Sequence, residues 1–158
     1  MSIFERLGRL FAALPKGSDV KPLPDSDVPH AIGTLLVRVA RSDKQYAVQE
    51  IGKIERALAK FQGISAAEAA TLRAECEQLE ASAPDTSGFA VLLCAGVDYD
   101  DRLSMIDALW EVAYADGTLR EEETETIKAT QTHLGITRED SETAQTKAQY
   151  VQDLSSLL

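Results

Sequence analysis

One segment of this chain occurs twice, and a chain that repeats a helix–loop–helix pattern is confined to a pseudo-symmetric helical fold. Leu36-Val37-Arg38-Val39-Ala40-Arg41-Ser42-Asp43 falls on Leu109-Trp110-Glu111-Val112-Ala113-Tyr114-Ala115-Asp116 when the sequence is shifted by 73 positions, from 43 to 116. Seven residues after each Asp comes a Glu, Glu50 and Glu123, and a helical apolar pattern follows each. The copies close on similar tails, Phe61-Gln62-Gly63-Ile64-Ser65 and His133-Leu134-Gly135-Ile136-Thr137, after a slip of one residue. Self-similarity of this kind marks a supersecondary unit that buries its apolar face against its own copy. It also places one acidic pair in each half, so the question is whether four carboxylates meet.

The rest of the chain is consistent with an all-α fold. Its 158 residues fit one domain that can bury a core without staples. No sustained alternation or β-branched run signals a strand. Four of the five prolines (Pro15, Pro22, Pro24 and Pro29) fall in one stretch with Gly17, Ser18 and Asp19, which reads as an extended linker over residues 15–29. Before it, Ile3, Phe4, Leu7, Leu10, Phe11 and Leu14 recur at helical spacing, so residues 1–14 read as a tethered amphipathic helix. Residues 30–158 form the helical domain, with repeat halves at about 30–83 and 98–155. Helices are expected to about Arg41, from about Ala47 to Phe61, through Leu79 from a capping box at Ser65-Ala66-Ala67-Glu68, and around Phe89 to Ala95. The second half repeats the scheme from Asp98, from Arg120 to His133, and from Thr137. Gly117 is expected to be left-handed, and Gly33 and Gly52, inside helices, suggest close helix crossings.

Charge and cysteine usage exclude several functions. A net charge of -10 argues against nucleic acid, because phosphate binding is carried by clustered Lys and Arg. Cys76 and Cys94 lie in separate apolar segments and are expected to be buried and reduced. The opening Met1-Ser2-Ile3-Phe4-Glu5-Arg6 lacks the long apolar core of a signal peptide, and no run reaches the ~20 apolar residues that span a bilayer. A cytoplasmic location is therefore expected.

Ala113-Tyr114-Ala115-Asp116-Gly117, the acidic helix start with Glu123, and the earlier degenerate copy together resemble the TerB-like family of tellurite-resistance-associated proteins. The likeness is closest to the small stand-alone bacterial branch and covers roughly residues 28 to 145. It implies a helical bundle of about seven helices built from two related halves, non-enzymatic, in a stress-associated assembly. It also implies a metal site on the acidic residues of the repeat, here Asp43, Glu50, Asp116 and Glu123. This chain departs from the family pattern. Ala-Asp-Gly has become Ser42-Asp43-Lys44 in the first copy, and a second acid common four residues after each Asp is replaced by Ala47 and by Arg120.

Two readings of the acids stand side by side. Carboxylates suit hard divalent cations such as Ca²⁺, Mg²⁺ or Mn²⁺. Four converging acids need a cation, a basic partner or protonation, since a pair ~5 Å apart repels by about 3 kcal/mol at an effective dielectric of ~20. Alternatively the acids cap helices and offset their dipoles, with Asp116 accepting from the next turn and Glu50 and Glu121 to Glu123 sitting in first turns. An EF-hand is excluded by Thr118, Arg120 and Glu121 at its third, fifth and sixth positions. His30 and His133 lack a second His at zinc-ligand spacing, Trp110 lies on a core stripe, and no phosphate loop, nucleophile elbow or His-Glu-x-x-His occurs. The partners this composition admits are a protein not identifiable from sequence, a membrane surface touched peripherally by residues 3–14, and a second copy of the chain. A metal-free adaptor docking through the N-terminal helix is the rival to the cation-binding domain.

Overall fold

The computed structural model describes residues 28–83, 85 and 87–157, with backbone only at 91 and 92. The expected N-terminal helix and most of the linker lie outside the described residues. Seven helices follow: α1 Val28–Arg41, α2 Val48–Gln62, α3 Ala66–Ser82, α4 Ser87–Gly96, α5 Tyr99–Ala113, α6 Glu121–His133 and α7 Arg138–Ser156. Among the described residues there is no strand, and the protein is an all-α bundle. None of these helices is long and apolar enough to cross a membrane. α1 starts at Val28, two residues before the domain boundary read from the sequence. Pro29 sits in its first turn, where a missing N–H costs nothing.

Local chemistry sets the same boundaries in both halves. Gly63 (φ 63°) and Gly135 (φ 67°) stop α2 and α6 in the left-handed conformation that an L side chain adopts only at a cost. Two residues later a hydroxyl starts the next helix. Ser65 Oγ accepts from the Glu68 amide and Thr137 Oγ1 from the Asp140 amide, both at 3.2 Å. Three helices thus stand in each of the expected halves, α1-α2-α3 and α5-α6-α7.

Packing follows the duplication. The most extensive helix contact is α1 on α3, and its counterpart is α5 on α7. Across the halves α1 packs on α5, α1 also meets α6, and α2 meets α5, the reciprocal pattern that a two-fold relation requires. α1 is buried on nearly every side: Val28, Ala31, Ile32, Leu35, Leu36, Val37, Val39 and Ala40 are all in the core. Trp110 fills the equivalent place in α5, and its indole N–H donates to Ser141 Oγ on α7 at 3.1 Å. Its core role is as expected.

Gly33 is where α1 and α3 approach most closely. A Cβ there would lie 2.3 Å from Cys76 Sγ, and the sulfur has little room because Cys76 is fully buried. Gly33→Ala is expected to cost about 1–3 kcal/mol by overpacking, measured by urea unfolding. Adding Cys76→Ala should recover part of that loss. An unchanged midpoint for Gly33→Ala alone would show that the helices separate freely. Gly52 does not mark a second crossing: among the described residues a Cβ there would meet only Arg56 of its own helix, at 3.4 Å. Neither Cys76 nor Cys94 forms a disulfide among the described residues, and Cys94 is half-buried rather than buried.

Candidate functional site

The two helix–loop–helix junctions build one centre. In each junction an Asp closes the turn after the first helix: Asp43 Oδ1 accepts from the Gln45 amide at 2.8 Å, and Asp116 Oδ1 from the Thr118 amide at 2.9 Å. The residue after each Asp is left-handed. In the second half it is Gly117 (φ 83°), while in the first it is Lys44 (φ 65°), which takes up this conformation at the strain cost of a side chain. Tyr46 steadies the first junction. Its hydroxyl donates to Glu77 on α3 at 2.9 Å, and the Arg41 guanidinium lies over its ring at 5.3 Å. Burial first, and then the adjoining Glu77, hold the Tyr46 hydroxyl in its protonated form.

Glu50 and Glu123 each occupy the third position of their helix, but they do not lie on the surface. They are 1% and 0% exposed, whereas the adjoining Glu121 and Glu122 face solvent. The reason is helical register. Glu50 lies four residues before Ile54 and eight before Leu58, and Glu123 four before Ile127, so each carboxylate sits at the end of a core stripe. Glu50 Oε1 accepts from the Ala47 amide at 3.0 Å, one half of a capping box whose other half Ala47 cannot supply. Its other oxygen and both oxygens of Glu123 are buried without a hydrogen-bond donor.

These buried acids feel one another. Burial pushes the Glu123 carboxyl up to about 9, and the charges of Glu50, Asp43 and Asp116 add to it. Burial likewise raises Glu50, to about 7, against the lowering effect of the Ala47 amide and of the adjoining Glu123 carboxyl. The charge of each of these two carboxylates therefore bears on the protonation of the other. Asp43 and Asp116 both act on Glu50 and Glu123 through their charge, so the four predicted residues lie within electrostatic reach of one another.

A fifth residue enters the centre, at a position where the family pattern has an acid and this chain has Arg120. Arg120, the N-cap of α6, reaches from the second half to the first. Its Nε lies 2.7 Å from Asp43 Oδ2, and its Nη2 donates to Gln45 Oε1 at 2.9 Å. The Nε–H does not point along the contact with Asp43, so that contact is an ion pair rather than a hydrogen bond. The Asp43 side chain is 2% exposed and Arg120 36%. No local sequence signal marks this pairing, since the partners come from different halves.

The donor set suits a hard divalent cation, and the orphaned oxygens of Glu123 and Glu50 are the kind that an ion satisfies. Among the described residues, however, no three His, Cys, Asp or Glu side chains are already drawn round one point closely enough to hold a metal ion. A cation would have to draw the two Glu side chains toward it. The histidines stand apart: His30 Nε2 lies 2.6 Å from Glu75, and His133 is exposed at the end of α6.

No curated protein and no solved structure matches this chain. A family model does: the one described as tellurite resistance protein TerB matches residues 30–146, a span that holds all four acids and ends within α7. The chain belongs to the TerB family.

Proposed function

We propose that this protein is a non-enzymatic TerB domain that holds one divalent cation, Ca²⁺, Mg²⁺ or Mn²⁺, between its two halves, and acts in a stress-associated assembly. Asp43, Glu50, Asp116 and Glu123 are the ligand candidates. The observation that carries the reading is Glu123, which is fully buried, has no donor on either oxygen and sits beside three further acids. A buried carboxylate in that position costs several kcal/mol unless a proton or a cation accompanies it. The negative surface favours a cation over an oxyanion such as tellurite as the direct ligand.

The test is a thermal melt with and without each of the three ions. A ligand bound only by the folded state stabilises it by about 2.7 kcal/mol at a hundredfold excess over Kd. The melting temperature should rise, and the double substitution Asp116→Asn with Glu123→Gln should abolish the rise. A monovalent salt at equal ionic strength controls for screening. Absence of a shift with all three ions would overturn the reading.

A metal-free interaction adaptor is the second reading, favoured by apolar side chains on the last turns of α7. Tyr150, Val151, Leu154 and Leu157 are 63%, 45%, 45% and 81% exposed. The helix expected at residues 1–14, which would supply the adaptor's other docking face, lies outside the described residues. The adaptor predicts no response to divalent ions.

A further inference from the structure

We propose that Arg120 is a tethered counter-ion that occupies the first-half side of the acidic centre and competes with a divalent cation for it. The inference rests on the cation reading above, and it concerns how strongly this particular chain binds. Both oxygens of Asp43 are engaged, Oδ1 by the Gln45 amide and Oδ2 by the Arg120 guanidinium. Of the four buried acidic oxygens without a hydrogen-bond donor among the described residues, Asp43 Oδ2 is the one paired with the guanidinium, and the other three are on Glu50 and Glu123. The positive charge thus sits at one edge of the centre and leaves the Glu pair uncompensated.

The geometry also provides an exit. Arg120 hangs from a helix N-cap, is 36% exposed, and is held by an ion pair with poor N–H alignment and one hydrogen bond to the exposed Gln45. At Glu50 Oε2 and both oxygens of Glu123 a divalent ion would displace no hydrogen-bond donor. To recruit Asp43 it would have to expel the guanidinium into solvent. The arrangement is one-sided, because the residue 73 positions before Arg120 is Ala47, which carries no charge. A unit positive charge within several ångströms of a divalent ion weakens binding by at least about tenfold, even when well screened.

The experiment compares Mn²⁺ binding by calorimetry in the wild type, Arg120→Gln, Arg120→Lys and Lys44→Gln, with metal-free melting temperatures recorded for each. Arg120→Gln is expected to bind Mn²⁺ at least about tenfold tighter and to melt lower without metal at neutral pH, the loss being recovered by Mn²⁺. Arg120→Lys keeps the charge and should stay close to wild type. Lys44→Gln removes an equal charge from an exposed position and should change affinity by less than about threefold. Binding by Arg120→Gln alone, with none by the wild type, also supports the proposal, as does an Arg120→Gln protein that folds only with Mn²⁺. Equal or weaker binding by Arg120→Gln while the wild type binds overturns it and leaves the cation reading standing. So does an equal gain from Lys44→Gln, which would mean general electrostatics. No binding by any of the four proteins overturns both.

Discussion

The metal-free protein should become less stable as pH rises from about 5 to about 9. In the unfolded chain Glu50 and Glu123 lose their protons near the usual 4.5, whereas in the fold burial holds them up to about 7 and about 9. The folded state therefore binds more protons than the unfolded chain throughout this window, and stability falls across it as pH rises. The contribution is fully present below the unfolded pKa and is lost as pH climbs through the folded values. For Glu123 the loss by pH 7 is roughly 3 kcal/mol, at about 1.4 kcal/mol per unit. In a domain of this size that is on the order of 10 °C in melting temperature. Glu123→Gln should flatten the profile and raise the melting temperature at pH 8, because a neutral amide needs no proton. Should the wild type be flat or rise between pH 5 and 9 without divalent ions, Glu123 is not buried as described. A saturating divalent cation should flatten the wild-type curve too, by replacing the proton.

Trp110→Ala is expected to cost about 3–5 kcal/mol, the largest loss from a single side chain in this fold. Trp110 is 1% exposed at the contact of α5 with α7, and its loss would leave both a cavity and an unpaired Ser141 hydroxyl. Trp110→Phe removes the donor and part of the volume, so a loss of about 1–2 kcal/mol would divide packing from hydrogen bonding. Urea unfolding reads both. A cost below 1 kcal/mol for the alanine variant would mean that α7 docks weakly and the second half relies on α5 and α6.

The helices were legible because their signals are local. Ser65 with Glu68, Thr137 with Asp140, and the glycines at 63 and 135 act over three or four residues, and the fold uses each as a cap or a stop. Glu123 carried a weaker local signal: it lies four residues before Ile127, on the stripe that turns inward. Read as the third of three consecutive acids at a helix start, it looked like dipole compensation. Glu121 and Glu122 are exposed and fit that description, and Glu123 does not.

By itself, then, the sequence determined the helical class, the helix ends, the duplication and the chemical type of the candidate ligands. Each of these is written in periodicity, caps and repeats over short separations. The tertiary structure alone decided that Glu50 and Glu123 lose their water together, that three of their oxygens lack a donor, and that Arg120 crosses to Asp43. Desolvation and ion pairing depend on which surfaces the two halves present to each other. That choice is made by the packing of α1 and α2 on α5 and α6, between helices that belong to different halves of the chain.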